Sequence, residues 1–310
     1  MEFKHTSIMA GECMAALCPE RGGIYVDCTA GGGGHSLEIA KRLPAGAKII
    51  SLDRDDDAIA ACTERLRDYS DKSIVVKSNF SGIGSVLDML GIEKIDGVMW
   101  DLGVSSYQLD AAERGFSYTA DAPLDMRMDR TGGITAADVV NTYSEEALKK
   151  VLWEYGEEKF SGKIAHSIVT FRENKPIETT GELARIIAES IPKAKRMKES
   201  QHPAKRSFQA IRIEVNGELA EIEPSITAAC ERLNPGGRMA VITFHSLEDR
   251  IVKETFRKLA KGCTCPPEFP VCVCGKTPDI RLLDNDTPSA EEIEQNPRAR
   301  SARLRTAEKL

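Results

Sequence analysis

VDCTAGGGGHS, residues 26–36, places four glycines between an apolar run and a histidine. A loop of this kind brings bare backbone close to something flat and polar, and its ligand decides the surrounding fold. Three ligands compete: a phosphate, a dinucleotide and a sulfonium cofactor. A phosphate-cradling loop needs GxxxxGK[ST], and no lysine follows these glycines. The dinucleotide fingerprint GxGxxG finds Gly31 and Gly33 for its first two positions but Ser36 for the third. Neither standard phosphate motif fits.

Working outward, short apolar runs alternate with helical patterns. GGIYVDCTA (22–30) reads as a strand and SLEIAKRL (36–43) as its helix. AKIISLDRD (47–55), KSIVVKSNF (72–80) and IDGVMWDLG (95–103) read as three more strands. Helices at 56–69 and 81–92 separate them. This rhythm predicts an α/β fold, a doubly wound, mostly parallel sheet of Rossmann-like type. It then breaks. Residues 110–213 hold no convincing buried strand, only helical segments at 134–143, 144–156, 158–174 and 180–191. From Asn216 a helix (217–233), a strong strand (NPGGRMAVITFHS, 234–246) and another helix (247–260) resume the pattern. The economical account is one core domain, 1–109 and 214–310, carrying an all-helical insertion at 110–213.

Within that frame, Asp53 ends the second strand 20 residues after Gly33, where a carboxylate accepts both hydroxyls of a ribose. The competing role is N-cap of the following helix. Asp27 ends the first strand just before the loop. A pyrophosphate gains nothing from an anion there, whereas the sulfonium and ammonium of S-adenosylmethionine do. The acid pair therefore favours adenosylmethionine over NAD. Phe80, ending strand three, either packs on the adenine or belongs to the core.

Composition sets the limits. With 310 residues, 41% hydrophobic and 29% charged, the chain is an ordinary globular one with a sizeable core. No stretch approaches the roughly 20 apolar residues of a membrane span. The start, MEFKHTSIMAGE, lacks a signal-peptide pattern, so a cytoplasmic protein with no membrane association is expected. A net charge of −6 argues against indiscriminate coating of nucleic acid. Yet 193–212 hold seven Lys/Arg against one Glu, and 298–305 hold four Arg and no acid. Such tracts are either local contacts to a polyanion or a solvated helix face and a frayed tail.

Strand four ends in DLGVSSYQLD (101–110), which puts Asp101 at the carboxyl end of the sheet, where ligands of such folds sit. Together with KHTSIM (4–9), LDRD (52–55), RGFSY (114–118), APLDMRMD (122–129), HPAKRSFQAIRIEVN (202–216), LNPGGRMAVITFHSLEDRIVK (233–253) and NPRARSARLR (296–305), these blocks span nearly the whole chain. In that order they resemble the bacterial 16S ribosomal RNA (cytosine-N4)-methyltransferase family.

The resemblance implies a class I methyltransferase core and an inserted RNA-recognition domain. It also implies methylation of a cytidine in the decoding region, with 16S ribosomal RNA or the small ribosomal subunit as partner. Carried across by motif, the cofactor residues are Gly33, Gly34, His35, Asp53, Phe80, Asp101 and Gln108. Tyr107 stands where the family usually has proline, which leaves the pose of Gln108 open.

Cytosine's exocyclic amine is a poor nucleophile because its lone pair is delocalised into the ring. Alignment with the methyl group and an acceptor for the amine N–H both help. Asp101 is either that acceptor, and so the catalytic residue, or a cofactor contact only. On the substrate side the candidates are Ser105, Ser106, Arg127, Lys205, Arg206 and His245. Ser105 and Ser106 have a capped turn as their structural alternative, and His245 a place as a satisfied structural histidine.

Nine cysteines is a high count. Cys13, Cys18, Cys28, Cys62 and Cys230 are scattered and read as small hydrophobes. Cys263, Cys265, Cys272 and Cys274 form CxC-x6-CxC among prolines. Four thiols so close, in a reducing compartment, are either a structural zinc site or a loop of exchanging thiols. Two other functions stay open. A DNA amino-methyltransferase is expected to keep an Asp/Asn-Pro-Pro-aromatic loop, where this chain has Asp-Leu-Gly-Val. A non-catalytic ribosome-assembly factor has no need of Asp27, Asp53 and Asp101.

Overall fold

The computed structural model describes residues 7–197, 201–263, 265–266, 268–271 and 273–310. Helix α1 (Ala10–Leu17) leads into β1 (Ile24–Asp27), α2 (Gly34–Arg42), β2 (Lys48–Asp53), α3 (Asp56–Arg65), β3 (Ser73–Lys77), α4 (Ile83–Met89) and β4 (Ile95–Asp101). A helical stretch follows: α5 (Ser106–Asp110), α6 (Ala136–Thr142), α7 (Glu145–Gly156), α8 (Ser161–Arg172), α9 (Thr180–Ser190), α10 (Lys193–Arg196) and α11 (Lys205–Asn216). The chain ends with α12 (Ile222–Arg232), β5 (Leu233–Thr243), α13 (Ser246–Ala260), β6 (Ile280–Asp286), α14 (Ala290–Gln295) and β7 (Arg303–Lys309). Two compact units result, Met1–Gly103 with Leu219–Leu310, and Val104–Glu218.

The first unit is the doubly wound, mostly parallel sheet that the sequence predicts. Its seven strands run in the order β3-β2-β1-β4-β5-β7-β6, with β7 antiparallel to both neighbours. Successive strand residues serve opposite faces. Val26, Ile50, Leu52, Val98, Trp100 and Val241 pack with Ile83 and Leu87 of α4, Ile226 of α12 and Phe256 of α13. Tyr25, Ile49, Met99, Ala240 and Ile242 pack with Met14 of α1, Ile39 of α2 and Cys62 of α3. Burial on both faces is why these strands read as unbroken apolar runs. One buried polar relay crosses the core: Trp100 Nε1 donates to Ser225 Oγ at 2.9 Å, and that hydroxyl donates to the Phe80 carbonyl at 2.9 Å.

The C-terminal tract is not the frayed tail that the sequence allowed. Residues 297–301 form a short 3-10 turn, and Arg303–Lys309 is an interior strand between β5 and β6. Leu304 and Ala307 face the core, while Arg305 Nε and Nη2 grip Asp249 of α13 at 2.7 and 3.0 Å. The arginines hid a strand whose apolar residues are few and small.

In the second unit, α6 to α9 and α11 surround a core that includes Val139, Leu148, Leu152, Ile164, Ile168, Leu183, Ile187, Phe208 and Ile211. Helix starts follow capping chemistry: Thr135 with Asp138 closes a capping box, and Ser144 and Thr179 cap α7 and α9. The loop before α6 is tied down by Asn216, whose Oδ1 accepts from Met128 N and whose Nδ2 donates to Met126 O, both at 2.8 Å. Buried Arg114 Nη2 adds bonds to the carbonyls of Arg127 and Met128. Among the described residues, no helix is long and apolar enough to cross a membrane.

Candidate active site

In the first unit, β2, β1 and β4 are neighbours, and their last residues are Asp53, Asp27 and Asp101. Three acids therefore line one edge of the sheet around the glycine turn. Each has a different job.

Asp27 is fully buried. Its Oδ2 accepts from Ser36 Oγ at 2.7 Å and its Oδ1 from Thr29 N at 3.2 Å, and Ser51 Oγ donates to Ser36 Oγ at 2.8 Å. Burial raises its pKa, against the opposing pull of His35 and Ser36. With no exposed surface, Asp27 uses its oxygens to hold the turn. Ser36 and Thr29 were not singled out in the sequence, where only their places beside the glycines mark them.

Asp53 fastens the same turn from the next strand. Oδ2 accepts from Gly31 N at 2.8 Å, and Oδ1 from Asp55 N at 2.9 Å. The N-cap of α3 is Asp55, which accepts from Asp57 N, so the capping alternative for Asp53 is excluded. Each carboxylate oxygen keeps a lone pair for a further donor, as a ribose diol requires. Burial pushes the Asp53 carboxyl up to about 6, although its two backbone donors oppose this.

Gly33 sits at φ +76°, and a Cβ there lies 3.1 Å from Cys62 Cα. At Gly34 a Cβ falls 2.1 Å from Ser7 Oγ. The positive φ and the Cys62 backbone thus favour glycine at 33, whereas at 34 a Cβ meets only a side-chain hydroxyl that can turn away. His35 follows on the first turn of α2, 4% exposed, with Nε2 3.4 Å from Asp101 Oδ2. Burial alone lowers its pKa, but the Asp101 hydrogen bond and the charges of Asp101, Asp27 and Glu38 more than offset this and raise it. Among the described residues, both ring nitrogens of His35 and Asp101 Oδ1 are buried without a hydrogen-bond partner. An unsatisfied carboxylate oxygen beside an acid-rich edge suits a ligand with positive charge and N–H donors. Phe80, half-buried after β3, packs against the core of this unit, as its sequence alternative described, and its carbonyl is fixed by Ser225.

His245 is the N-cap of α13. Its Nδ1 accepts from Glu248 N at 3.4 Å, and Nε2 lies 3.0 Å from Glu248 Oε1. The capping contact is structural, but Nε2 is buried with no hydrogen-bond partner among the described residues, so the histidine is only partly satisfied.

The remaining candidates belong to the second unit. Ser105 caps α5 and forms a capping box with Gln108: Ser105 Oγ accepts from Gln108 N at 3.2 Å, and Gln108 Oε1 accepts from Ser105 N at 3.0 Å. Gln108 is buried, and Ser106 is the half-buried first residue of the helix. Arg127 makes a bidentate pair with Asp125 at 2.8 and 2.9 Å, which holds the Asp125 carboxyl below its usual range despite burial. Lys205 and Arg206 are exposed on the first turn of α11. Nearby, the Tyr118 ring stacks on His202 at 4.6 Å, an aromatic pair that no spacing in the sequence announces.

Cys263, Cys265 and Cys274 come together after α13, with their sulfurs within 4.8 Å of one another. Cys272 lies outside the described residues.

Residues 2–310 match the model of the MraW methylase family. The chain is 56% identical over 312 residues to the "Ribosomal RNA small subunit methyltransferase H" of Clostridium botulinum (strain Kyoto / Type A2), with 100% of both chains covered. It is 53% identical, again over 100% of both, to the protein of the same name from Finegoldia magna. Among solved structures it is similar to an rRNA methylase from Streptococcus thermophilus, at 11% identity, a TM-score of 0.43 and coverage of 100% of this chain and 99% of that one. A match across essentially every residue leaves no part of the chain outside the assignment. The chain belongs to the MraW methylase family.

Proposed function

We infer that this protein is an S-adenosylmethionine-dependent methyltransferase that modifies N4 of a cytidine in the decoding region of 16S ribosomal RNA. Its relatives carry the name of a small-subunit ribosomal RNA methyltransferase. The observation that carries the chemistry is Asp101 at the acid-lined end of the sheet: its Oδ2 lies beside His35 Nε2, and its Oδ1 is buried with no hydrogen-bond partner among the described residues.

When bound, adenosylmethionine supplies an electrophilic methyl group on a sulfonium. Asp53 accepts the ribose hydroxyls, Phe80 packs on the adenine, and Gly33, Gly34 and His35 border the methionine end. Asp27 stabilises the positive charge through the interior of the protein. Asp101 Oδ1 accepts an N–H of the cytosine amine, which favours a pyramidal nitrogen with its lone pair turned toward the methyl. After transfer the nitrogen is cationic and acidic, and Oδ1 is the nearest base to receive its proton. Holding the two reactants in line is worth several kcal/mol, up to about 7–11 in favourable cases.

The helical unit reads the RNA. Lys205 and Arg206 contact phosphates, and a target base must be unstacked to reach Asp101. Ser105, Ser106 and Gln108 order the segment that follows Asp101. Ribosomal RNA as substrate sets the activity in the cytoplasm. Methyl transfer uses no metal, so an ion at the cysteine cluster has a structural part only.

The test offers methyl-labelled adenosylmethionine with naked 16S RNA, with small subunits lacking the modification, and with DNA. Label on cytidine N4 in RNA or subunits is expected. Label in DNA, or in nothing, overturns the reading.

A further inference from the structure

From Lys261 to Asp279 none of the described residues is buried, and Phe269, Val271 and Val273 stand 52%, 69% and 73% exposed. A segment of that length with no apolar core has nothing in its own packing to offset the entropy of ordering it. Yet its cysteine sulfurs converge. Cys263, Cys265 and Cys274 Sγ lie within 4.8 Å of one another, and Cys263 Sγ is 3.8 Å from Cys274 Sγ.

That separation discriminates. A disulfide needs sulfurs about 2.05 Å apart. A tetrahedron with metal–sulfur bonds of about 2.3 Å has edges of about 3.8 Å. Backbone N–H groups also point at the sulfurs, Cys265 N to Cys263 Sγ at 3.4 Å and Val273 N to Cys265 Sγ at 3.3 Å. Donors so placed stabilise thiolate rather than thiol, and thiolate is the form a metal takes.

We propose that Cys263, Cys265 and Cys274 hold a structural zinc ion, a site separate from methyl transfer. Each ligating thiol loses its proton to solvent as its zinc–sulfur bond forms, and nothing is oxidised or reduced. The ion does for residues 261–279 what a core does elsewhere, fixing the path from α13 into β6.

The experiment uses the full chain, freed of metal under reducing conditions and then titrated with zinc or with cobalt(II). One zinc per chain should survive gel filtration, and cobalt should give intense thiolate charge-transfer absorption. Cys265→Ser and Cys274→Ser should each weaken zinc binding at least tenfold, and Cys230→Ser should not. Zinc should also slow alkylation of the cysteines in the 263–274 peptide of the unaltered chain, a readout that needs no variant to fold. No retained zinc, undiminished binding in both variants, or unprotected cysteines would overturn the proposal. A Cys263–Cys274 disulfide persisting under those reducing conditions would do so too.

Discussion

His35 Nε2 lies 3.4 Å from Asp101 Oδ2, and among the described residues His35 Nδ1 and Asp101 Oδ1 are buried without a hydrogen-bond partner. The two side chains meet through one atom each, which leaves Oδ1 free of that contact. If Asp101 Oδ1 holds the substrate amine, Asp101→Ala should lower kcat about 100-fold or more. Its affinity for S-adenosylhomocysteine by calorimetry should stay within about threefold of the parent. Loss of cofactor binding with kcat intact at saturation would instead make Asp101 a cofactor contact.

The same pair predicts a pH slope in stability. The folded chain raises the His35 pKa above its ordinary value, so it binds that proton more tightly than the unfolded chain. The contribution is complete below about pH 6.5 and is lost as pH rises through the folded value. Urea midpoints of the cofactor-free protein should fall over that upper range. His35→Asn should flatten that part of the curve, and an unchanged slope would remove His35 as its source.

Asp53 sets a second, lower window. Its carboxyl is pushed up to about 6, so free-chain stability from this group is present when it is protonated and declines as pH rises through about 6. Ribose hydroxyls need the ionised form. Binding of S-adenosylhomocysteine should therefore tighten between pH 5 and pH 7.5. Asp53→Asn should bind about tenfold or more weakly at the upper end and lose the inflection near 6. An inflection that survives the substitution would assign it to another group.

Charge at the start of α11 should act on RNA alone. Lys205→Glu with Arg206→Glu should weaken substrate RNA about tenfold or more and reduce the salt slope by about 2. Cofactor affinity should not change. Equal RNA affinity across the salt series would take both residues out of the interface.

Arg305 carries the opposite expectation. Its bidentate bond to Asp249 makes it part of the β7–α13 packing. Arg305→Ala should cost about 1–3 kcal/mol in urea unfolding, because it leaves a partly buried carboxylate without its partner. RNA affinity, measured well below the unfolding transition, should be unchanged.

Strands β1 to β5 are legible in the chain because burial on both faces writes itself as continuous apolar sequence. β6 and β7 are not. RLRTAEK buries only Leu304 and Thr306 on one face and Ala307 on the other, too little apolar surface to stand out from a basic tail. What makes it a strand is the backbone of β5 and β6 on either side, a long-range fact.

The site divides along the same line. The glycine turn, Asp53 and Asp101 could be read locally, since strand ends and loop spacing place them at one edge of the sheet. Part of the reason for glycine at 33 lies in the Cys62 backbone, which approaches only after folding. Ser105 and Gln108 satisfy each other in a helix cap, which spacing permits but does not require. Residue type and short-range order thus determine the class of ligand and the turns that meet it. Which atoms stay unsatisfied, which acid is sealed under its neighbours and which sulfurs converge are decided only by tertiary packing, because each depends on distances between segments far apart in the chain.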